Sequence, residues 1–327
     1  MEVTPDGDVF PALAWSQRAA GAGGDGLVAV VATDVPPGAA LRARVQTPGL
    51  HADAVAVAGS VGGAVTLRPR LVWDAAQMAA LHEPRPQRLR VVLETGDWHE
   101  TRELDVRLHP LDEAAYFVRD GGAHVDLSWI FAGYVDPFSP AVDALLADAR
   151  KLDPMFDSTA ADAPRRHLRA IWQALAARGV RYDAADPALA RGPSVWSQRV
   201  RSPVRVLRER RANCIDGSVL IASVLERLGL SARIALVPRH AFVGYRGSGG
   251  SVWLETTLLG SAGFDAALRA GEARWRKSAS RFDGRHAPDY ALIDVGTARA
   301  YGIIPIGAAL RAAEQSPESA AASATVR

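Results

Sequence analysis

Two periods of apolar residues divide the chain. From Phe10 to about Leu108 the apolar positions come in short runs between Gly, Pro and Asp, which predicts strands over residues 27–32, 41–45, 54–58, 64–67, 89–93 and 103–108. Short strands at this spacing predict a small β-sandwich. After Pro110 the period becomes helical. Ser139 and Pro140 form a cap and first-turn pair, followed by a stripe of Val142, Leu145, Leu146 and Ala149. A second helix is expected to be capped by Asp162, to open near Pro164, to bury Leu168, Ile171, Trp172 and Leu175, and to end at Gly179. A third begins at Ser202 and Pro203. The fourth begins at Asn213, a favoured cap, with Asp216 in the first turn and Val219, Ala222, Leu225 and Leu228 at helical spacing before Gly229. Strand-type runs follow over 232–237, 240–245 and, beyond a turn over 246–251, 252–257. A helix over 266–274 and a strand over 291–295 complete the pattern, and the Ala- and Ser-rich tail from about Glu314 is expected to be disordered.

The fold class expected is therefore α+β, an N-terminal β-sandwich followed by a helix-plus-antiparallel-sheet domain. The boundaries are 1–118 for an Ig-like accessory domain, 119–310 for the second domain and 311–327 for the tail. A chain of 327 residues is long enough for two domains, and 48% hydrophobic residues can fill their cores. Lys plus Arg is 38 and Asp plus Glu 36, a balance of 38 − 36 = +2, which gives no electrostatic footprint for nucleic acid. One cysteine forms no intramolecular disulfide, in keeping with a reducing compartment. The start, Met1-Glu2-Val3-Thr4-Pro5-Asp6, lacks the regions of a signal peptide, and no run approaches the roughly 18 apolar residues of a membrane span. A cytoplasmic protein without a membrane association is expected. The eight histidines include no pair at metal-ligand spacing, so no metal or other cofactor is expected.

The candidate chemistry centres on Cys214, with His240 and Glu255 downstream, each in a strand-type run. A thiolate, and not a thiol, attacks carbonyl carbon well. A cysteine in the first turn of a helix faces free backbone amides and the positive end of the dipole, which favour the anion and can later receive an oxyanion. A base must reach the sulfur, and a third group must fix the base. If Tyr245 pairs with Val252 across the hairpin, His240 faces Thr257, Phe242 faces Glu255, and His240 and Glu255 become diagonal neighbours on one face. A slip of one residue would separate them. Taken singly, a lone cysteine among apolar residues is more often a small buried hydrophobe, and a strand glutamate a solvated one. It is their order and placement together that point to a nucleophile, a base and its orienter.

The string Asn213-Cys214-Ile215-Asp216 running into Leu220 to Leu230, with Ser231-Ala232-Arg233 and His240-Ala241-Phe242-Val243-Gly244, resembles the cysteine helix and following strands of the transglutaminase-like superfamily. The likeness covers about residues 140 to 306. Pro238-Arg239-His240, Leu254-Glu255-Thr256-Thr257 and Ile293-Asp294-Val295 with Ala298-Arg299 and Ile303 resemble a bacterial branch in which the module precedes a helicase-like region, although no helicase motor fits within this chain. The resemblance implies a papain-like core with Cys214 as nucleophile, His240 as base and Glu255 as orienter, acting on amide bonds of a protein or peptide substrate as a protease, peptidase, amidase or acyltransferase. Glu255 stands where the family commonly has Asp, and Asn213 where a small residue often precedes the cysteine. Gln198 resembles a glutamine of the bacterial branch and is a candidate oxyanion donor, and Trp196 is a candidate for the substrate groove. The rival readings are an inactive protein-binding module, with the β-sandwich as a candidate partner surface, and a structural domain whose cysteine is buried.

Overall fold

The computed structural model describes residues 2–4, 7–17, 28–47, 51–52, 54–69, 71–73, 77–78, 80–120, 123–156, 160, 162–184, 189–191, 194–247 and 250–307. It is mixed α and β, with several sheets. The chain divides into two compact units, with the boundary after Glu113 at the start of a strand that belongs mostly to the second unit. The tail over 311–327 lies outside the described residues.

The first unit runs through β1 (Glu2–Thr4), β2 (Asp8–Val9), α1 (Pro11–Trp15), β3 (Ala29–Val35), β4 (Ala40–Gln46), β5 (His51–Ala52), β6 (Ala54–Gly59), β7 (Gly63–Leu67), β8 (Val72–Trp73), β9 (Arg85–Thr95) and β10 (Trp98–Leu108). Its sheets have the orders β1-β3-β7, β2-β10-β9-β4-β6 and β5-β8. All neighbours are antiparallel except β2, which runs parallel to β10. The period of two explains the core. Ala43 pairs with Leu93 and Val45 with Val91, all four buried, while Arg42 and Arg90 on the same strands face solvent.

The second unit opens with β11 (Glu113–Asp120) and β12 (Ala123–Asp126), where the sequence pattern predicts helix. Residues 114–117 are apolar and buried without alternation, so neither period is visible there. There follow α2 (Ile130–Tyr134), α3 (Pro140–Leu152), α4 (Ala163–Ala177), β13 (Arg181–Tyr182), β14 (Leu189–Arg191), β15 (Val195–Arg199), α5 (Pro203–Glu209), β16 (Arg211–Ala212) and α6 (Cys214–Arg227). Next come β17 (Ser231–Val237), β18 (His240–Gly247), β19 (Gly250–Leu254), α7 (Phe264–Ser278), β20 (Ala291–Asp294) and α8 (Val295–Ala300). Ser139 and Asp162 occupy their expected cap positions but make no side-chain cap bond, whereas Ser202 accepts from the Arg205 amide. The sheets are β12-β11-β15-β14, β13-β16 and β19-β18-β17-β20.

Helix α6 is the centre of this unit and lies against β17 and β18. Val219, Leu220, Ile221, Ala222, Val224 and Leu225 are all fully buried, so the helix is covered on every side and not on one stripe as its spacing implied. No helix among the described residues is long and apolar enough to cross a membrane.

Candidate active site

The start of α6 is locked by a reciprocal cap. Asn213 Oδ1 accepts from the amides of Ile215 at 3.0 Å and Asp216 at 2.9 Å, and Asp216 Oδ2 accepts from the Asn213 amide at 3.0 Å. Asp216 also accepts from the Arg201 amide and guanidinium, each at 2.8 Å, with both residues buried. Cys214, the first helical residue, is half-buried and free. Its backbone carbonyl accepts from the hydroxyls of Ser218 at 2.7 Å and Thr256 at 3.2 Å, which ties the cysteine to the segment that carries Glu255. Gly217 permits that approach, because a Cβ there would sit 2.9 Å from Thr256 Cβ.

The hairpin has the expected register, Tyr245 opposite Val252, and continues to Val243 opposite Leu254. There the ladder stops, so the expected pairs of Phe242 with Glu255 and His240 with Thr257 do not form. Glu255 leaves the strand because its own side chain caps a 3₁₀ turn over Thr256–Leu258. Its Oε1 accepts from the Thr257 amide at 3.1 Å and hydroxyl at 2.8 Å. The other oxygen, Oε2, lies 2.9 Å from His240 Nε2 and accepts from Arg274 Nε at 2.8 Å. Helix α7 carries Arg274 and comes in closely at Gly271, where a Cβ would lie 2.5 Å from the Trp253 carbonyl oxygen. The Glu255 amide donates to the Ala267 carbonyl of the same helix at 3.1 Å.

His240 is thus held between Glu255 and Cys214. Burial opposes its positive charge, but the interaction with Cys214 and the hydrogen bond and charge of Glu255 outweigh burial and raise its pKa from 6.5 to about 9. Burial likewise opposes the Glu255 carboxylate, and the bonds from His240 and Thr257 with the His240 charge bring it from 4.5 down to about 2. With Nε2 committed to Glu255, Nδ1 is the ring nitrogen left for the sulfur. Glu255 is 3% exposed and His240 14%, so their attraction is little screened by water.

The Glu255 bond and the charges acting on His240 link Cys214, His240 and Glu255, and the other two candidates, Trp196 and Gln198, lie on β15. Trp196 packs its ring against Tyr116 and Phe117, with Arg119 over its face, in the β11–β15 region. Gln198 sits opposite Leu189 in the β14–β15 ladder, and among the described residues no bond joins it to the three. Arg274 and Thr257, which fix the Glu255 carboxylate, were not singled out by the sequence. Thr257 had a local signal in its position two residues after Glu255, the spacing of a side-chain-capped turn. Arg274 had none, since it arrives on another element.

Among the described residues no group of three or more His, Cys, Asp and Glu side chains is arranged to hold a metal ion. No protein-family model and no curated protein sequence matches this chain.

Proposed function

We propose that this protein is a transglutaminase-like cysteine hydrolase or acyltransferase that acts on amide bonds of protein or peptide substrates, with hydrolysis as the favoured outcome. The observation that carries the reading is His240 held between a half-buried thiol and a buried carboxylate. The Cys214 sulfur attacks the amide carbon, and the carbonyl electron pair moves to oxygen. As the tetrahedral species collapses, the C–N bond breaks and the His240 imidazolium gives its proton to the leaving amine. Water then attacks the thioester while His240 takes its proton, the C–S bond breaks, and a carboxylic acid leaves with thiolate and imidazolium restored. Glu255 keeps the ring in one orientation and stabilises its cationic form. Water is favoured as acceptor because nothing along the chain marks an amine site.

The resemblance of residues 140 to 306 to the transglutaminase-like superfamily supports the same reading, as does the antiparallel sheet packed on the cysteine helix. Incubation with a peptide library, beside a Cys214→Ser control, tests it by mass. Cleavage, deamidation and cross-linking leave different products. A library unchanged relative to the control would favour the inactive binding module.

A further inference from the structure

The short strand β13 is fastened on both sides to the chain segments that present the triad. On one side it pairs in parallel with β16, Arg181 opposite Arg211 and Tyr182 opposite Ala212, and Ala212 is two residues before Cys214. The amides of Arg181 and Asp183 donate to the carbonyls of Arg210 at 3.0 Å and Ala212 at 2.9 Å. On the other side the Tyr182 amide donates to the Leu259 carbonyl at 3.0 Å, just past the turn that Glu255 caps. Gly260, at φ +75°, completes this contact, since a Cβ there would lie 2.6 Å from Arg181 Cγ and 3.1 Å from its Cα. Tyr182 is therefore held between the lead-in to the nucleophile and the exit from the carboxylate, and it is half-buried.

We infer that Tyr182 is a further catalytic residue of this site, its phenol O–H donating a hydrogen bond to the substrate carbonyl oxygen as the Cys214 sulfur attacks. The inference rests on the reading of Cys214 as a nucleophile. As the C–S bond forms, the carbonyl pair moves onto oxygen, and the phenol keeps its proton while bonding to the developing anion. Collapse of the tetrahedral species returns the pair and expels the leaving group. The phenol suits this task because it stays protonated: burial, then the negative charges of Cys214, Glu255 and Asp183, raise its pKa above 10. Tyr182 pairs with Ala212 and bonds the Leu259 carbonyl, and the charges of Cys214 and Glu255 both act on its hydroxyl. Helical amides at Cys214 and the Tyr182 hydroxyl then approach the oxygen from two elements.

Tyr182→Phe keeps the ring and removes only the donor. Two reactions of Cys214 separate its role from support of the thiol. Acylation by p-nitrophenyl acetate passes through an oxyanion, whereas alkylation by iodoacetamide displaces iodide at a tetrahedral carbon and forms none. The expected result is a p-nitrophenol burst at least about tenfold slower in Tyr182→Phe, with alkylation within about twofold of wild type. Equal burst rates would overturn the assignment, and so would an equal fall in both reactions, which would make Tyr182 a support of the sulfur. A wild-type Cys214 inert to both reagents would sink the nucleophile itself, and Tyr182 with it.

Discussion

In each unit of this protein a histidine is held against acidic side chains, and only one of these two has a thiol as its other neighbour. In the first unit, His109 Nε2 lies 2.7 Å from Asp8 Oδ1, its Nδ1 lies 3.0 Å from Glu113 Oε2, and its ring stacks on Phe10 at 3.9 Å. In the second, His240 has a carboxylate on one nitrogen and a thiol for the other. Burial disfavours both cations, and in both the anionic neighbours win and raise the pKa above 6.5. A raised histidine pKa is thus no mark of an active site by itself. Two carboxylates, Glu113 buried and Asp8 partly exposed, make His109 the middle of an ion cluster that joins β2 to the end of β10. At His240 one of the two partners is a half-buried sulfur at a helix start, and that difference is what the proposed reading of Cys214 as nucleophile and His240 as base rests on.

The sharpest division between the two sites is expected in turnover. Cys214→Ala should reduce peptide cleavage to background, and His240→Ala should lower it by about a thousandfold, within the range for loss of a general base. His109→Gln should leave turnover within about twofold of wild type in the same assay, and a loss comparable to that of His240→Ala would break the comparison.

Glu255→Gln comes next. It leaves His240 and Arg274 facing a neutral amide, so about 3 kcal/mol of stability should be lost in urea titrations, with turnover falling about tenfold or more. Glu113→Gln should cost similar stability beside His109 and no turnover.

The smallest effect is on pH dependence. The His240 contribution is complete below its unfolded pKa of 6.5 and is lost as pH rises through about 9. Glu255 contributes fully above 4.5 and loses its contribution as pH falls through about 2, so the pair stabilises most between 4.5 and 6.5. His109, also raised, adds a loss of the same sign above 6.5. The unfolding free energy from urea titrations should therefore fall between pH 6.5 and 9, by an amount on the order of 2 kcal/mol for the His240 part. His240→Gln and His109→Gln should each remove part of that slope, and a slope untouched by either would contradict the assignment.

The sequence disclosed what is local and concealed what is brought from afar. The cap of α6 was legible because Asn213 and Asp216 satisfy each other within one turn. The hairpin register was legible because the turn between Tyr245 and Val252 fixes every pair before it. Glu255 was placed beside His240 for a reason only half right, since the ladder ends at Leu254 and a side-chain-capped turn delivers the carboxylate. Gly217 lies three residues after Cys214, yet its purpose, space for Thr256, belongs to tertiary packing. Arg274 and Tyr182 reach the site on a helix and a two-residue strand whose positions depend on the whole unit. Strand β11 was missed because residues 114–117, buried without alternation, carry no period.

Alkylation of Cys214 by iodoacetamide at pH 6, followed by mass in the native protein and in His240→Ala, tests most directly whether sulfur and imidazole act as a pair. The native thiol should react without denaturant, and His240→Ala should slow it at least about tenfold. A thiol that reacts only after unfolding, or at the same rate in both proteins, would contradict the account.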